Sequence, residues 1–360
     1  MKSLLVLFFS LFITGHSFAQ VDHDPKLFTD TIKISDNIDY FILGEDHSKD
    51  NTTHKLEVIK QLYNSSNLRN VLIEIPRSFE IYVNDYITTG NKNSFQVIKR
   101  GSFMNKRDAL NFFKEVYVFN KTLPQSDKLK LTCFDINSIR GKNSLKGIET
   151  MLSYWDDNEL DQLKKLVSQK SKYLPVIQSN MELINSELEK NEAVYKTVLK
   201  EYFYVLKDAL EGASVINFNG KASINNDALL VKREEYIAKI LFEYNKQDNL
   251  GLKLVFAGQA HASNLEYDTL LEATSFNYIL RNKYELNTMS CFTVYFNNRE
   301  SFFDKFYAQY IDYLKLDLDS IYTSTKSQYI YIEKDLFVES PFFVKRCDAI
   351  LMKNCYGKKK

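Results

Sequence analysis

The stretch Tyr40–His47 constrains the fold of this chain of 360 residues more than any other. An apolar run of strand length begins at Tyr40 and stops at Gly44, and Glu45 and His47 follow within three positions. Parallel strands that are buried on both faces read as continuous apolar runs, and the functional groups of such sheets lie at the carboxyl ends of the strands. The stretch therefore predicts a first strand that ends in a functional site.

A second stretch repeats this plan far along the chain. Leu254–His261 is an apolar run that meets Gly258 and then a histidine. Two further apolar runs, Val71–Pro76 and Lys130–Asp135, also read as strands and carry acids at or near their ends. These acids are Glu74 and Asp135.

Stretches with apolar residues at helical spacing separate these strands. Strands that alternate with helices favour a parallel sheet that is covered on both faces. We therefore predict an α/β fold with a mostly parallel sheet flanked by helices. Right-handed crossovers place the carboxyl ends of parallel strands at one edge of the sheet, so several side chains should converge there. They are Glu45, His47, Glu74, Asp135 and His261.

Residues 145–248 differ from the rest of the chain, because long charged segments there carry apolar residues at helical spacing. We predict that they form a helical insertion or lid within one α/β domain of residues 20–360. Residues 91–106 are polar and predict an irregular connection. Two more strands are predicted beyond the insertion, at 290–296 and near 348–352.

Residues 1–19 have the parts of a secretion signal, with a positive Lys2, an apolar core and the small residues of Ser17–Ala19 at a cleavage site. The core is too short to span a bilayer, and no later stretch is long and uncharged enough to do so. We expect an exported protein, periplasmic or secreted, without a transmembrane segment. A formal net charge of +1 argues against a nucleic-acid surface. The expected partner is a small-molecule substrate, and the sequence predicts no oligomeric state.

The four cysteines are of two kinds. Cys133 and Cys291 lie within apolar runs and are expected to be buried thiols. Cys347 and Cys355 are close in the sequence of an exported protein, which favours a disulfide between them, although sequence does not give their separation in space.

Imidazole and carboxylate groups gathered at one edge can activate water. His47 as a general base would remove a proton from water while glutamates hold its ring in the right tautomer and orientation. The same groups could instead bind a divalent metal ion, with His47, Glu74 and His261 as ligands, and the sequence leaves both readings open. The GxSxG motif of serine hydrolases and the HExxH motif of zinc proteases are absent, so these two mechanisms are disfavoured.

Four other residues near the predicted strand ends are candidates for substrate binding, namely Arg77, Arg107, His54 and Asp135. A guanidinium from Arg77 or Arg107 could hold a carboxylate or stabilise an oxyanion, although surface arginines are common. His54 lies in the first turn of the helix after strand one, and a single histidine there is more often structural. Asp135 could equally orient the loop after strand three.

Leu43–His47 resembles the start of the erythromycin esterase family and of the ChaN-type haem-binding lipoproteins, in which a glycine and a glutamate precede a histidine. The resemblance continues through Ile73–Glu74, Phe134–Asp135, Arg233–Ala238 and Gly258–His261. It covers nearly the whole chain after the signal, and the order and spacing of these motifs carry it.

The resemblance implies an α/β core with a helical insertion, and a hydrolase that opens an ester or lactone with a histidine-activated water and without a cofactor. His47 would be the base, Glu45 and Glu74 its supports, and His261 a second imidazole at the reaction centre. The interval between Glu45 and His47 is shorter than in the esterases and matches the haem-binding relatives. The resemblance therefore also implies an alternative, a non-catalytic binder of haem or metal with His47 or His54 as ligand.

Overall fold

The structure of the chain, a computed structural model, contains a seven-stranded sheet within the part of the chain that it describes. The described residues are 32, 34–47, 51–66, 68–101, 106–136, 144–169, 174–217, 227–247, 251–268, 271, 273–296, 329–334 and 343–354. Strands β1 to β7 are Tyr40–Glu45, Asn70–Pro76, Lys130–Asp135, Lys253–Gly258, Thr288–Phe296, Tyr329–Glu333 and Ala349–Asn354.

Helices precede, connect and follow these strands. In chain order, α1 to α12 are Thr52–Ser65, Glu80–Thr89, Lys92–Arg100, Lys106–Asn120, Ser144–Leu152, Asp161–Val167, Leu174–Lys190, Glu192–Leu199, Tyr202–Asn217, Asp227–Gln247, Phe276–Asn282 and Phe343–Arg346. Among these described helices, none combines the length and the hydropathy that a membrane span needs.

The sheet has the strand order β3-β2-β4-β1-β5-β7-β6. Neighbouring strands are parallel except β6 and β7, which pair antiparallel. The predicted α/β fold with a mostly parallel sheet is therefore confirmed. The five strands expected from apolar runs before residue 300 are present, whereas the antiparallel edge strand β6 was not expected from the sequence.

The central strands are apolar on both faces because helices cover both faces. Phe41 and Leu43 of β1 belong to a core cluster that includes residues of α1 and α4, and Tyr40 and Ile42 belong to a second cluster with α10 and α11. All four side chains are fully buried. This two-faced burial explains the continuous apolar run of β1, since successive side chains of a strand point to opposite faces.

The described part of residues 145–248 is largely helical, from α5 to α10. Helix α10 packs on the same face as α11, whereas α5 to α9 contribute to the core cluster of α1 and α4. That this segment acts as a lid stays a prediction.

The prediction of an irregular connection over residues 91–106 is wrong for most of its described part, where α3 forms. The side chain of Asn91 accepts a hydrogen bond from the Asn93 N–H and so caps this helix. Only Ser94 and Ile98 are buried on it. Two buried positions are too sparse a pattern to indicate a helix from sequence.

Cys133, Cys291 and Cys347 are buried free thiols, as expected for the first two. Cys355, the predicted disulfide partner of Cys347, lies outside the described residues, and so does the predicted signal of residues 1–19.

Candidate functional site

The carboxyl ends of β1, β2 and β4 adjoin, because β4 lies between the other two strands. In the register of the sheet, Glu45 of β1 lies beside Gly258 of β4. Glu74 of β2 accepts a hydrogen bond from the Gly258 N–H at 2.8 Å. His47 and His261 follow the ends of β1 and β4, and both contact Glu74. The structure thus brings these two imidazoles and two carboxylates to one edge of the sheet.

The acids at this edge divide between the two faces of the sheet. By the alternation along each strand, Glu45 lies on the face of Leu43, towards α1 and α4, and Glu74 lies on the face of Leu72, towards α10. Two groups of charged side chains result. We name them the α1 cluster, formed by Glu45, Lys55 and Asp108, and the α10 cluster, formed by Glu74, Asp135, Arg233, Glu234 and His261.

Arg233 of α10 lies at the centre of the α10 cluster. Its Nη2 donates to Glu74 Oε1 at 2.7 Å, and its Nε donates to Asp135 Oδ1 at 2.9 Å. Its Nη1 lies 3.3 Å from Oε1 of Glu234. Burial lowers the pKa of Arg233, but the carboxylates of Asp135, Glu74 and Glu234 raise it well above its usual value. The guanidinium is therefore a permanent charge that holds three buried carboxylates.

Glu74 connects the cluster to both histidines. Its Oε1 lies 3.5 Å from His261 Nε2 as well as accepting from Arg233. Its Oε2 accepts the Gly258 N–H and lies 3.3 Å from His47 Nε2. Burial raises the pKa of Glu74, but His261, His47 and Arg233 lower it well below its usual range. Glu74 is thus an ionised and fixed carboxylate.

Both ring nitrogens of His261 face charged side chains, although the contact of Nδ1 lacks the alignment of a hydrogen bond. Nδ1 lies 2.8 Å from Glu234 Oε1, and Nε2 lies 3.1 Å from Arg233 Nη1. A guanidinium can only donate, so the second contact requires Nε2 to accept and assigns the ring proton to Nδ1, facing Glu234. Burial lowers the pKa of His261, but Glu234 and Glu74 raise it to a net value above the usual one. Protonation of Nε2 would break the contact with Arg233.

The α1 cluster is a cation between two carboxylates. Lys55 Nζ lies 2.8 Å from Glu45 Oε1 and 3.1 Å from Asp108 Oδ2. Asp108 Oδ1 also accepts the Asn51 N–H at 2.8 Å and the Thr52 hydroxyl at 3.0 Å. Burial lowers the pKa of Lys55, and its two carboxylate partners raise it to a net value above the usual one.

Glu45 is held by only one of its oxygens. Lys55 contacts Oε1, whereas Oε2 is buried and has no hydrogen-bond partner. Burial raises the pKa of Glu45, and Lys55 and then His47 lower it, which leaves the pKa above its ordinary value. Glu45 is therefore an acid with one oxygen available inside the protein.

His47 lies between the two clusters. Its Nε2 is at ion-pair distance from Glu74 Oε2 without the alignment of a hydrogen bond, and its Nδ1 has no hydrogen-bond partner. Its side chain is 26% exposed, against 13% for His261. Burial lowers the pKa of His47, but Glu74 and then Glu45 raise it to a net value above the usual one. A Cβ on Gly258 would lie 2.7 Å from His47 Nε2, so only glycine lets the ring pack this close to β4.

A small cavity of about 40 Å³ opens between the clusters. Glu45, His47 and Glu74 line it on the polar side, and Phe112 and Phe256 line it on the apolar side. A water molecule needs roughly 10–15 Å³ of such volume, so the cavity has room for water. Glu45 Oε2 and His47 Nδ1, which are buried and have no hydrogen-bond partner, belong to residues that line it.

Arg77, a predicted substrate-binding residue, does not line this cavity. Its guanidinium donates to Glu80, to Asp208 Oδ2 at 3.1 Å and to the Cys133 carbonyl at 3.1 Å. These contacts join β3, α2 and α9, which indicates a structural role because the donors that could meet a substrate are already used.

The other three predicted substrate-binding residues differ in position. Arg107 has an exposed side chain at the start of α4, and His54 is fully buried within α1, and neither lines the cavity. Asp135 does line it, but its Oδ1 accepts from Arg233 and from the Ile136 N–H. Substrate binding by these residues stays a prediction. The position of Asp135 supports it, and the positions of Arg107 and His54 do not.

The predicted metal ligands do not fit a metal ion. His47, Glu74 and His261 are adjacent, but both oxygens of Glu74 already meet N–H donors, and the Arg233 guanidinium contacts His261 Nε2. A fixed positive charge at that distance opposes a cation. No group of three or more His, Cys, Asp or Glu side chains within the described ranges could hold a metal ion. The burial of His54 likewise argues against it as a haem ligand.

Four members of the two clusters were missed as site residues from the sequence, namely Lys55, Asp108, Arg233 and Glu234. A signal existed for the two cations. Each lies three, four and seven positions before buried apolar residues of its helix, which places it on the buried face. For Lys55 these residues are Val58, Ile59 and Leu62, and for Arg233 they are Tyr236, Ile237 and Ile240. A cation at an apolar-face position needs a buried carboxylate partner.

No family model and no curated protein matches the sequence. Solved structures do match it. A Bacillus cereus protein is 13% identical, with 88% of each chain covered and a TM-score of 0.60. A succinoglycan biosynthesis protein is 13% identical, with 88% of each chain covered and a TM-score of 0.55. A mutant of the erythromycin esterase EreC in its open conformation is 12% identical, covering 88% of this chain and 90% of its own, with a TM-score of 0.53.

These likenesses define the class of protein at the level of fold. The chain has the α/β fold that the erythromycin esterase EreC and the two other proteins share, as the sequence resemblance predicted. Identities of 12% to 13% establish the fold and leave the activity to the chemistry of the site.

Proposed function

We propose that this protein is an exported hydrolase in which His47 activates a water molecule for attack on the carbonyl carbon of an ester or lactone. The observation that carries the proposal is the position of His47, with one ring nitrogen facing Glu74 and the other without a partner beside a cavity with room for water. A general base needs one free ring nitrogen and one that is oriented.

The residues around His47 support this role in different ways. Glu74 faces Nε2, which favours the tautomer with a proton on Nε2 and a lone pair on Nδ1. Arg233 and the Gly258 N–H fix Glu74 in turn. Glu45 lines the same cavity, and its Oε2, which has no hydrogen-bond partner among the described residues, can accept a second hydrogen bond from the water. His261 acts through Glu74 and Arg233, because it does not line the cavity and both of its nitrogens face charged side chains.

The reaction balances without a further reagent. His47 Nδ1 takes one proton from water while the oxygen adds to the carbonyl carbon. The tetrahedral intermediate then collapses, the carbon–oxygen bond to the alcohol breaks, and the imidazolium returns the proton to the leaving oxygen. One water is consumed and an acid and an alcohol are formed. The erythromycin esterase EreC shares the fold, which agrees with an ester or lactone as substrate.

The test is hydrolysis of a panel of aryl esters, alkyl esters and lactones by the wild-type protein and by His47→Asn. We expect the variant to lose turnover of any substrate found by about 10²- to 10⁴-fold, the usual contribution of a general base. Circular dichroism checks that the variant folds, and Glu115→Ala, at an exposed position of α4, is the matched control. Unchanged turnover in His47→Asn would remove His47 from the mechanism.

The alternative function as a haem-binding protein and the export of the chain are each tested by a separate experiment. Titration with haemin should give no shifted Soret band that depends on His47 or His54, and such a band would favour a haem-binding protein. Export rests on the sequence of residues 1–19. Cell fractionation should find a protein shortened by this segment outside the cytoplasm.

A further inference from the structure

A groove of about 790 Å³ runs along the outer edge of β3, which is the terminal strand of the sheet. It shares no lining residue with the cavity at His47. Helix α2 forms one wall, and the segment after α5 together with the start of α9 forms the other. Its volume lies within the range of roughly 300–1,000 Å³ that is usual for small-molecule sites. We call it the edge groove.

Aromatic side chains form one wall of the edge groove. Tyr154, Trp155 and Tyr202 pack edge to face, with ring centroids 5.3 Å and 6.0 Å apart along the series. Tyr154 is 39% exposed, and Tyr204, which also lines the groove, is 49% exposed. Mutual packing restricts the rings of the series, so the wall presents apolar ring surface to solvent on a fixed support.

The rest of the lining mixes aliphatic and polar residues and is nearly neutral. Four basic and three acidic side chains line the groove, among them the exposed Lys130 and Glu201. Lys200 lies between α8 and α9 and lines the groove. Its φ of 52° is a left-handed backbone conformation that residues other than glycine rarely adopt. Strain of this kind concentrates at functional positions.

The edge of β3 itself cannot take up a peptide strand in this groove. The N–H and carbonyl of Leu131 that face outward are bound by the Asn84 side chain at 2.9 Å and 2.8 Å. Those of Cys133 are bound by Glu80 at 2.8 Å and Arg77 at 3.1 Å. Strand addition needs these groups free. A nearly neutral lining equally disfavours a nucleic acid, because its phosphates require a positive groove.

We propose that the edge groove binds a neutral oligosaccharide. A sugar ring presents a face of C–H groups, which packs on exposed aromatic rings, and a rim of hydroxyls, which bind carboxylate and ammonium groups. Tyr154, Trp155 and Tyr204 supply the rings, and Glu201 and Lys130 supply partners for the hydroxyls. This inference is independent of the esterase proposal, since the two lining sets do not overlap.

The chain contains a single tryptophan, and it lies in the edge groove. Intrinsic tryptophan fluorescence therefore reports on this groove alone. We expect saturable changes in emission on titration with at least one of cellotetraose, maltotetraose, laminaritetraose and chitotetraose, confirmed by calorimetry. Tyr204→Ala should weaken the apparent affinity by about tenfold, since it removes one exposed ring from the wall.

Two controls keep the test specific. Tyr267→Ala removes a tyrosine that is 58% exposed and lies outside the groove, and it should bind like the wild type. His47→Asn should also bind like the wild type. Three results would each overturn the proposal. The first is absence of binding to all four sugars, and the second is equal affinity of Tyr204→Ala and Tyr267→Ala for a sugar. The third is binding of a single-stranded oligonucleotide instead of the sugars.

Discussion

The α1 cluster and the α10 cluster lie at the same edge of the sheet and both hold buried carboxylates around one cation. They differ in the cation and in how completely it satisfies the carboxylates. In the α10 cluster one arginine contacts three carboxylates and the Nε2 of His261, and the Nδ1 of His261 lies at ion-pair distance from Glu234. In the α1 cluster one lysine contacts two carboxylates, and an oxygen of Glu45 is left without a hydrogen-bond partner. The planar guanidinium can meet several acceptors at fixed angles, whereas an ammonium is a point charge.

This difference indicates that the two clusters have different roles at the site. The α10 cluster fixes the position of Glu74, and Glu74 in turn faces His47. The α1 cluster supplies an available acid beside the same cavity. His47 contacts Glu74 of the α10 cluster through Nε2, and its Nδ1 has no hydrogen-bond partner. We therefore assign the proton transfer to His47, which also lines the cavity.

Replacing Arg233 with Met should have the largest effect on stability, because it leaves Glu74, Asp135 and Glu234 buried without their common cation. We expect the free energy of unfolding to fall by about 3–5 kcal/mol, as is typical when one partner of a buried ion pair is removed. Urea denaturation measures it. Arg107→Met, at an exposed arginine, should stay within about 0.5 kcal/mol of the wild type. Equal stabilities of the two variants would contradict a central role for Arg233.

Replacing Lys55 with Met should cost less, about 2–3 kcal/mol at neutral pH, because Asp108 retains two hydrogen bonds from α1. The loss should shrink as the pH falls, since burial raises the pKa of Glu45 and its protonation removes a charge that Lys55 neutralised. Urea denaturation at pH 7 and pH 5 measures both values. A deficit that grows towards acid would show that the α1 cluster is not held by this ion pair.

Replacing Gly258 with Ala should lower turnover more than stability. The new methyl group would lie 2.7 Å from His47 Nε2 and must displace the ring. A displacement of about 1 Å can cost 10²-fold in rate, while overpacking of this kind costs about 1–3 kcal/mol in stability. Steady-state kinetics and urea denaturation separate the two effects. In a His47→Asn background the same change should not reduce the residual rate further, and a further loss there would place its effect elsewhere.

The sequence predicted the elements whose apolar pattern is continuous. Buried β1 and β4 carry apolar residues on both faces, and each has a glycine as its last or next-to-last residue, and this pattern located both histidines at one edge. Helix α3, with two buried positions, gave too weak a signal. The partners of the acids could not be assigned, because which helix covers which face depends on the strand order, and β4 lies between β1 and β2 only in three dimensions.

Sequence also could not distinguish the roles of the two histidines. His47 and His261 follow the same apolar-run-and-glycine plan, so both were candidates for the reaction centre. They differ because Arg233 and Glu234 on α10 lie against the two nitrogens of His261 and contact neither nitrogen of His47. Only His47 of the two lines the cavity. The same reasoning applies to Arg77, whose donors are used by Glu80, Asp208 and the backbone of β3.

The most direct test of the account is a titration of the His47 imidazole by NMR, in the wild type and in Glu74→Gln. Because Glu74 raises the pKa of His47, we expect a value above the ordinary 6.5 in the wild type and a lower value in the variant. A general base works only when neutral, so the rate should fall as the pH drops through this pKa, and that limb should shift to lower pH in Glu74→Gln. An identical His47 pKa in the two proteins would contradict the claim that Glu74 sets the state of the base.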